Sequence, residues 1–406
     1  MSMADQAAEK KAFRLSMLIY DTRYRSITIQ VIALIALALV GAWLVSNTLS
    51  NLEALDKELG FGFLSEPSSY DINQRLIEYD SRSSHGRAAL VGILNTLLVA
   101  FMGCVLATII GVTAGVARLS KNWIIARLMT VYVEMFRNVP ILLWIVLVMA
   151  VVIETLPVPR SFKGENATSS MILGDSVAIT NRGIYFPKPI YLEGSMIVFA
   201  AFILSLVGIW VFGRWAKKRQ ARTGDILPTG WIKLAIFVVP TLLVFFIMGR
   251  PITLEYPVFK GFNFQGGYQM RNSLIALWLA LSFYTGAFIA EAVRAGIQAI
   301  SKGQSEAAAA LGLRPKRIMN LVILPQALRV IIPPLISQYL NLTKNSSLAI
   351  VVGYMDITAT LGGITLNQTG REMESLLLLM AMYLSISITV SIAMNWYNES
   401  IKMRER

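Results

Sequence analysis

Eight apolar runs, each long enough to cross a bilayer as a helix, dominate this 406-residue chain. A hydrocarbon core about 30 Å thick takes about 20 apolar residues in α-helix to span. Helices suit that setting because a backbone surrounded by lipid must satisfy its own hydrogen bonds. The runs lie at about 27–46, 89–117, 139–156, 195–213, 231–248, 273–294, 329–352 and 375–396, the seventh being the least apolar. Only 15% of the residues are charged, against about a quarter in soluble domains. The expected fold is therefore all-α, a polytopic membrane helix bundle of about eight spans. The first run starts late, is long and lacks a small-x-small cleavage site, so it is expected to remain as a span rather than to be a cleaved signal.

Lys and Arg total 37 against 24 Asp and Glu. In a membrane chain such an excess reflects the positive-inside rule rather than nucleic-acid binding. With the N-terminus in the cytoplasm, about twice as many basic residues fall inside as outside. Eight spans then put both termini in the cytoplasm. The densest internal cluster is Arg214, Lys217, Lys218, Arg219 and Arg222, while outer loops gather Glu53, Asp56, Glu58, Glu66, Asp71, Glu78 and Asp80. One cysteine, Cys104, and one histidine, His85, allow neither an intramolecular disulfide nor a Cys/His metal cluster. No metal site is expected, and His85 is expected in a loop near the interface.

The chain divides into a basic cytoplasmic leader (1–26), a first span with its outer loop (27–88) and a main transmembrane domain (89–400). An inserted hairpin at about 195–248 carries little polar chemistry and is expected at the periphery. The apolar stretch GFGFLSEPSSY at 60–70 is expected along the membrane surface, and the loop at 157–194 is rich in Pro and Gly. Gly103, Ala107, Gly111 and Gly115 recur every four residues in the second run. That spacing makes a smooth helical stripe against which another backbone can pack closely.

The chemistry concentrates between the sixth and seventh runs. Ser301 and Gln304 fit a Ser-x-x-Gln capping box, residues 306–311 are Ala-rich and helix-forming, Gly312 suits the left-handed residue after a helix, and Pro315 suits the first turn of another. A helix, a sharp turn and a second helix follow, with Arg314, Lys316 and Arg317 on the turn. Glu306-Ala307-Ala308, three residues, Gly312, nine residues, then Val322-Ile323-Leu324-Pro325 resembles the EAA loop of bacterial ABC-importer permeases, departing only by Val322 for Ile. Tyr132 to Pro140 (YVEMFRNVP), Glu291 to Ile297 (EAVRAGI) and Lys344 to Leu348 (KNSSL) are similar to the polar amino-acid permeases of histidine type. The N-terminal FGFL segment and the extra hairpin resemble the longer permease of a general L-amino-acid importer.

The resemblance implies a membrane-spanning subunit of an ATP-driven L-amino-acid importer in the bacterial cytoplasmic (inner) membrane. It implies a cytoplasmic ABC ATPase dimer, a second and related permease chain, and an extracytoplasmic solute-binding protein as partners, besides lipid and the amino acid, with no nucleic acid. Ser305, Glu306, Ala307, Ala308, Gly312, Arg314, Pro315 and Pro325 would form the ATPase-coupling loop. No Gly-Lys dipeptide occurs in the chain, so it cannot hold a P-loop, whose Lys follows a Gly. ATP would be used by the partner, with no cofactor on this chain and no enzymatic activity of its own.

A polar side chain within a span is costly unless it faces a bundle interior or water. Ser337, Asn341, Lys344 and Asn345 fall at i, i+4, i+7 and i+8, on one helical face, and are expected to line a solute pathway. Asn95 and Thr96 are weaker candidates of the same kind, more often packing groups. Glu134 with Arg137, and Glu291 with Arg294, sit three apart and are expected as local interfacial pairs, with a gate as the functional reading. Two other readings stay open: an ion-coupled secondary transporter, with Pro333 and Pro334 breaking the seventh span, and a permease for another small polar solute.

Overall fold

The computed structural model describes residues 17–54, 59–164 and 167–401. Residues 1–16 of the leader, and Asp56 and Glu58 of the acidic set, lie outside the described residues. The chain forms two units, Met1–Phe63 and Leu64–Arg406. In the first, α1 (Met17–Tyr20) precedes α2 (Thr22–Ala54). Leu34, Leu37 and Trp43 of α2 are exposed, as are its apolar side chains on every other face, which suits a helix solvated by lipid.

The second unit opens with a cap, residues 64–84, over the start of α3 (His85–Ala117). Ile72 and Tyr79 pack there against Ala88 and Val91, and the Ser68 and Tyr79 hydroxyls lie 2.6 Å apart. Ser84 caps α3 by accepting the Arg87 N–H. His85, expected in a loop, is instead the first residue of α3 and is buried. Its Nδ1 lies 3.0 Å from Thr365 Oγ1, a contact supplied from the far end of the sequence. Burial pushes the neighbouring Tyr70 phenol up to about 12, so it stays a neutral hydroxyl, 3.1 Å from the same Thr365 Oγ1.

After α3 come α4 (Trp123–Asn138) and α5 (Ile141–Thr155), then the hairpin α6 (Ser195–Thr223) and α7 (Thr229–Ile247), and α8 (Asn272–Gln298). α8 is the central post: Leu277, Leu281 and Ile289 are fully buried, against residues of α3, α5 and the later helices. The small-residue stripe of α3 makes this packing close. A Cβ on Gly111 would stand 2.5 Å from Ile289 Cβ and 2.9 Å from the Gly286 carbonyl oxygen. Among the described residues, eight helices are long and apolar enough to cross a membrane, each containing most of one predicted run; the first, fourth and seventh extend well past theirs, to Ala54, to Thr223 and back to Pro315.

The loops are not all-α. Among the described residues, seven short strands, β1 (Ala178–Thr180), β2 (Gly183–Phe186), β3 (Lys188–Tyr191), β4 (Ile252–Glu255), β5 (Val258–Lys260), β6 (Asn263–Gln265) and β7 (Tyr268–Arg271), form small antiparallel sheets ordered β1-β2-β7, β3-β4 and β5-β6. The β3–β4 ribbon, with Ile190 opposite Thr253, joins the hairpin ends, and β2–β7 ties it to the start of α8. β1–β2 and β5–β6 are local hairpins, whereas β2–β7 and β3–β4 pair across the α6–α7 hairpin, beyond any local pattern.

α9 (Lys302–Ala310) and α10 (Pro315–Ile318) form a protruding knob. A π-helical turn, Met319–Ile323, leads into α11 (Leu324–Asn345), which runs unbroken through Pro333 and Pro334 and continues as a 3-10 helix to Val352. The break that a secondary-transporter reading would place at the two prolines does not occur. The chain then folds back through α12 (Ile357–Ala359), a π-helical stretch Thr360–Thr365 and α13 (Leu366–Thr369) before the last helix, α14 (Glu372–Ile401).

Candidate coupling knob, ion-pair cluster and polar face

The knob is built as its residue types require, with one exception. Ser301 has the extended backbone of an N-cap, but its side chain makes no capping bond. The Gln304 amide donates instead to the Ser301 carbonyl at 3.1 Å, and its side-chain Oε1 accepts from Gln326 Nε2 at 3.4 Å, tying α9 to α11. The expected capping box is therefore absent. The turn is a Schellman motif: Leu313 N–H donates to the Ala308 carbonyl at 3.3 Å and Gly312 N–H to that of Ala309 at 2.9 Å. Gly312 takes φ +77°, the left-handed region that costs any L-residue energy. Pro315 opens α10, and Arg314 carries an extended backbone as its N-cap.

Ala308 of α9 and Ile318 of α10 are buried. Glu306, Ala307, Gly312, Arg314 and Pro315 are exposed, while Ser305 and Pro325 are half-buried. Leu311, at the apex, is 82% exposed. Arg314, Lys316 and Arg317, on the same turn, are exposed as well.

At the end of α8 nearest the knob, Glu291 gathers three arginines. Arg118 Nη1 lies 2.5 Å from Glu291 Oε2, Arg294 Nη2 lies 2.6 Å from Oε1, and Arg137 Nη1 lies 3.8 Å from Oε2. The expected Glu291–Arg294 pair is thus present. The expected Glu134–Arg137 pair is not: Glu134 faces Arg118 at 4.0 Å and Asn138 at 3.4 Å, and Arg137 turns to Glu291 and the Phe288 ring. The reason is charge. Arg118, only 8% exposed, needs carboxylates, and α3 delivers it between α4 and α8. Reading sequence alone passed over Arg118; its signal is an arginine closing a 33-residue apolar helix.

The structure separates the pathway candidates. Ser337, Asn341 and Lys344 lie exposed on one face of α11, with Asn345 half-buried beside them. The opposite face buries Ile332, Ile336 and Leu342. Asn95 and Thr96 do not join that face. Both are fully buried: Asn95 Nδ2 donates to the carbonyls of Gln74 at 2.7 Å and Met355 at 2.8 Å, and Thr96 Oγ1 accepts the Ile357 N–H at 3.2 Å. They clamp the folded-back segment to α3, so here the packing reading replaces the pathway reading. Buried Asp356 completes that clamp, accepting the Ala359 N–H at 2.9 Å and the Tyr383 hydroxyl at 3.1 Å. The other end of the bundle carries a groove of about 610 Å³ lined by Arg75, Glu78, Asp80, Arg87, Lys188 and Tyr268 among others. No group of His, Cys, Asp and Glu among the described residues could hold a metal ion.

With this geometry in place, comparison with known proteins is informative. Residues 107–403 match the family described as binding-protein-dependent transport system inner membrane component. The chain is 52% identical to the glutamate/glutamine/aspartate/asparagine transport system permease protein BztB of Rhodobacter capsulatus, over 98% of both chains. It is 48% identical to the general L-amino acid transport system permease protein AapQ of Rhizobium johnstonii, over 97% of this chain and 96% of that one. It is 43% identical to the putative amino-acid ABC transporter permease protein YhdX of Escherichia coli, over 93% and 94%. These matches run through the cap, the β ribbons and the α6–α7 hairpin, so those parts are shared with the relatives and are not appended to this chain. The chain belongs to the family of binding-protein-dependent transport system inner membrane components.

Proposed function

We propose that this chain forms one half of the translocation pathway of an ATP-driven L-amino-acid importer. The observation that carries the reading is the exposed polar face of α11, Ser337, Asn341 and Lys344, on a helix whose base is bonded to the knob through Gln326. A face so polar is costly against lipid, and a second permease chain packed across it would turn it into an enclosed, wet interface. Lys344 and the asparagine amides supply donors for a carboxylate; the asparagine carbonyls supply acceptors for an ammonium. The names of the full-length relatives support amino acids as the solute class.

In this reading the knob lies in the cytoplasm and docks in a partner ATPase, which alone binds ATP; this chain binds no cofactor. Closure of the ATPase dimer pushes the knob, and α11 carries the displacement to the polar face. The Glu291 cluster ties α3, α4 and α8 into one body that moves with it, which is a gating role for Arg118, Arg137, Glu291 and Arg294. The groove at the opposite end receives the solute-binding protein. Co-purification tests the reading, followed by uptake across an amino-acid panel in proteoliposomes. A stable complex with an ATPase and ATP-dependent amino-acid uptake are expected. Proton- or sodium-driven uptake by the chain alone would replace the reading with secondary transport.

A further inference from the structure

The α6–α7 hairpin takes no part in the coupling path. Its helices pack chiefly against each other, through contacts such as the Phe202 and Phe237 rings with centroids 5.6 Å apart. Its end on the knob side is intensely basic. Residues 210–233 hold six cations, Arg214, Lys217, Lys218, Arg219, Arg222 and Lys233, against one acid, Asp225. Asp225 engages Arg219 at 3.4 Å.

The arrangement is more than a run of charge. Arg214, Lys217, Lys218 and Arg222 fall at i, i+3, i+4 and i+8, which places them on one face of α6, and all four are exposed. Lys233 joins them from α7: its ammonium lies 3.5 Å from where a Cβ of Gly213 would stand, in contact with the α6 surface. The Arg214 guanidinium stacks on Trp210 at 3.7 Å and that of Arg219 faces Trp215 at 5.5 Å. Trp231, at the start of α7, is 77% exposed. Tryptophans of this kind sit at headgroup level, which puts the cations at the depth of lipid phosphates.

We propose that this end of the hairpin is a binding site for anionic phospholipid, with Arg214, Lys217, Lys218, Arg222 and Lys233 holding the headgroup phosphate and the tryptophans seating the acyl chains beneath it. An acidic protein would also complement the charge, but exposed apolar residues of both helices, Val207, Val211 and Leu234 among them, continue directly below the cations and favour a lipid. The site would anchor the hairpin while the rest of the bundle rocks. It does not depend on which solute is carried.

The test is native mass spectrometry of the full chain, purified with its partner subunits, delipidated and titrated with phosphatidylglycerol or phosphatidylcholine. Each cation near an anionic headgroup is worth about fivefold in binding, so the wild type should prefer phosphatidylglycerol by about tenfold or more. Replacing Arg214, Lys217, Lys218 and Arg222 by Gln should bring the two lipids to near equality. Arg214→Lys with Arg222→Lys should keep the preference, separating charge from fold. Because neutral residues can disturb insertion, salt supplies a second readout on unaltered protein: screening should collapse the preference. Equal binding of both lipids by the wild type, a preference indifferent to salt, or crosslinks from Lys217 and Lys218 to a protein subunit in place of lipid would each overturn the proposal.

Discussion

Two glycines nine residues apart isolate what the knob must do. Gly303 and Gly312 both have open space around them, so a Cβ on either would meet nothing. They differ in backbone: Gly312 takes φ +77°, while Gly303 lies inside helical α9. A side chain at 312 therefore costs no packing, only the left-handed penalty of about 1–2 kcal/mol for an L-residue, and more for a β-branched one. That amount cuts the population of the native turn by roughly 5–30-fold. The Schellman bonds from Leu313 and Gly312 hold α10 against α9, so the apex Leu311 and its basic rim lose their fixed geometry. Gly303→Ala should instead favour α9 by about 1 kcal/mol. The assay is uptake per ATP hydrolysed in proteoliposomes holding the whole transporter. Coupling should fall in the order Gly312, Gly312→Asn, Gly312→Ala, Gly312→Val, because Asn tolerates the left-handed region best among the three. Insertion and complex formation should persist, and Gly303→Ala should couple normally. Wild-type coupling in Gly312→Val, or equal damage at both glycines, would refute the reasoning.

Four further outcomes follow from the same geometry. Gly111→Ala should destabilise the purified protein by about 1–3 kcal/mol, seen as a lower thermal aggregation temperature, since the new Cβ meets Ile289 and the Gly286 carbonyl. Glu291→Gln should cost about 2–3 kcal/mol, because buried Arg118 loses its charged acceptor, whereas Glu134→Gln, at the exposed end of the cluster, should change stability by less than about 1 kcal/mol. Asp356→Asn should be tolerated, because an amide still caps α12 and bonds Tyr383. Asp356→Ala should lose about 1–2 kcal/mol of cap, read from limited proteolysis at 353–371. Lys344→Met should abolish solute-stimulated transport while leaving complex assembly intact, checked by co-purification beside uptake.

Local rules made most of the helical framework legible. Apolar runs of bilayer length, a stripe of small residues and the order Ser, Ala-rich run, Gly, Pro each state a backbone preference within a few residues, and each appears where expected apart from the unused Ser301 cap. What escaped was set by distance. His85 looked like an interfacial loop residue, and Asn95 kept a pathway reading beside its packing one, because their partners, Thr365 and the Met355 carbonyl, lie some 260 to 280 residues away. The β2–β7 and β3–β4 pairings join segments separated by a whole helical hairpin. The Glu134–Arg137 spacing suggested a local pair, and the buried charge of Arg118 redirected both partners. Pro333 and Pro334 left room for a break under the secondary-transporter reading, and α11 does not make it.

The central claim is that residues 301–325 form a rigid cytoplasmic protrusion held by an ATPase. It is tested most directly by placing one reactive thiol on the turn beside the apex, Arg314→Cys in a Cys104→Ala background, in intact cells. A membrane-impermeant thiol reagent should leave that cysteine unlabelled until the cells are opened, and a short bifunctional crosslinker should join it to the ATPase subunit. Labelling from outside, or an apex that crosslinks to no nucleotide-binding protein, would contradict the account.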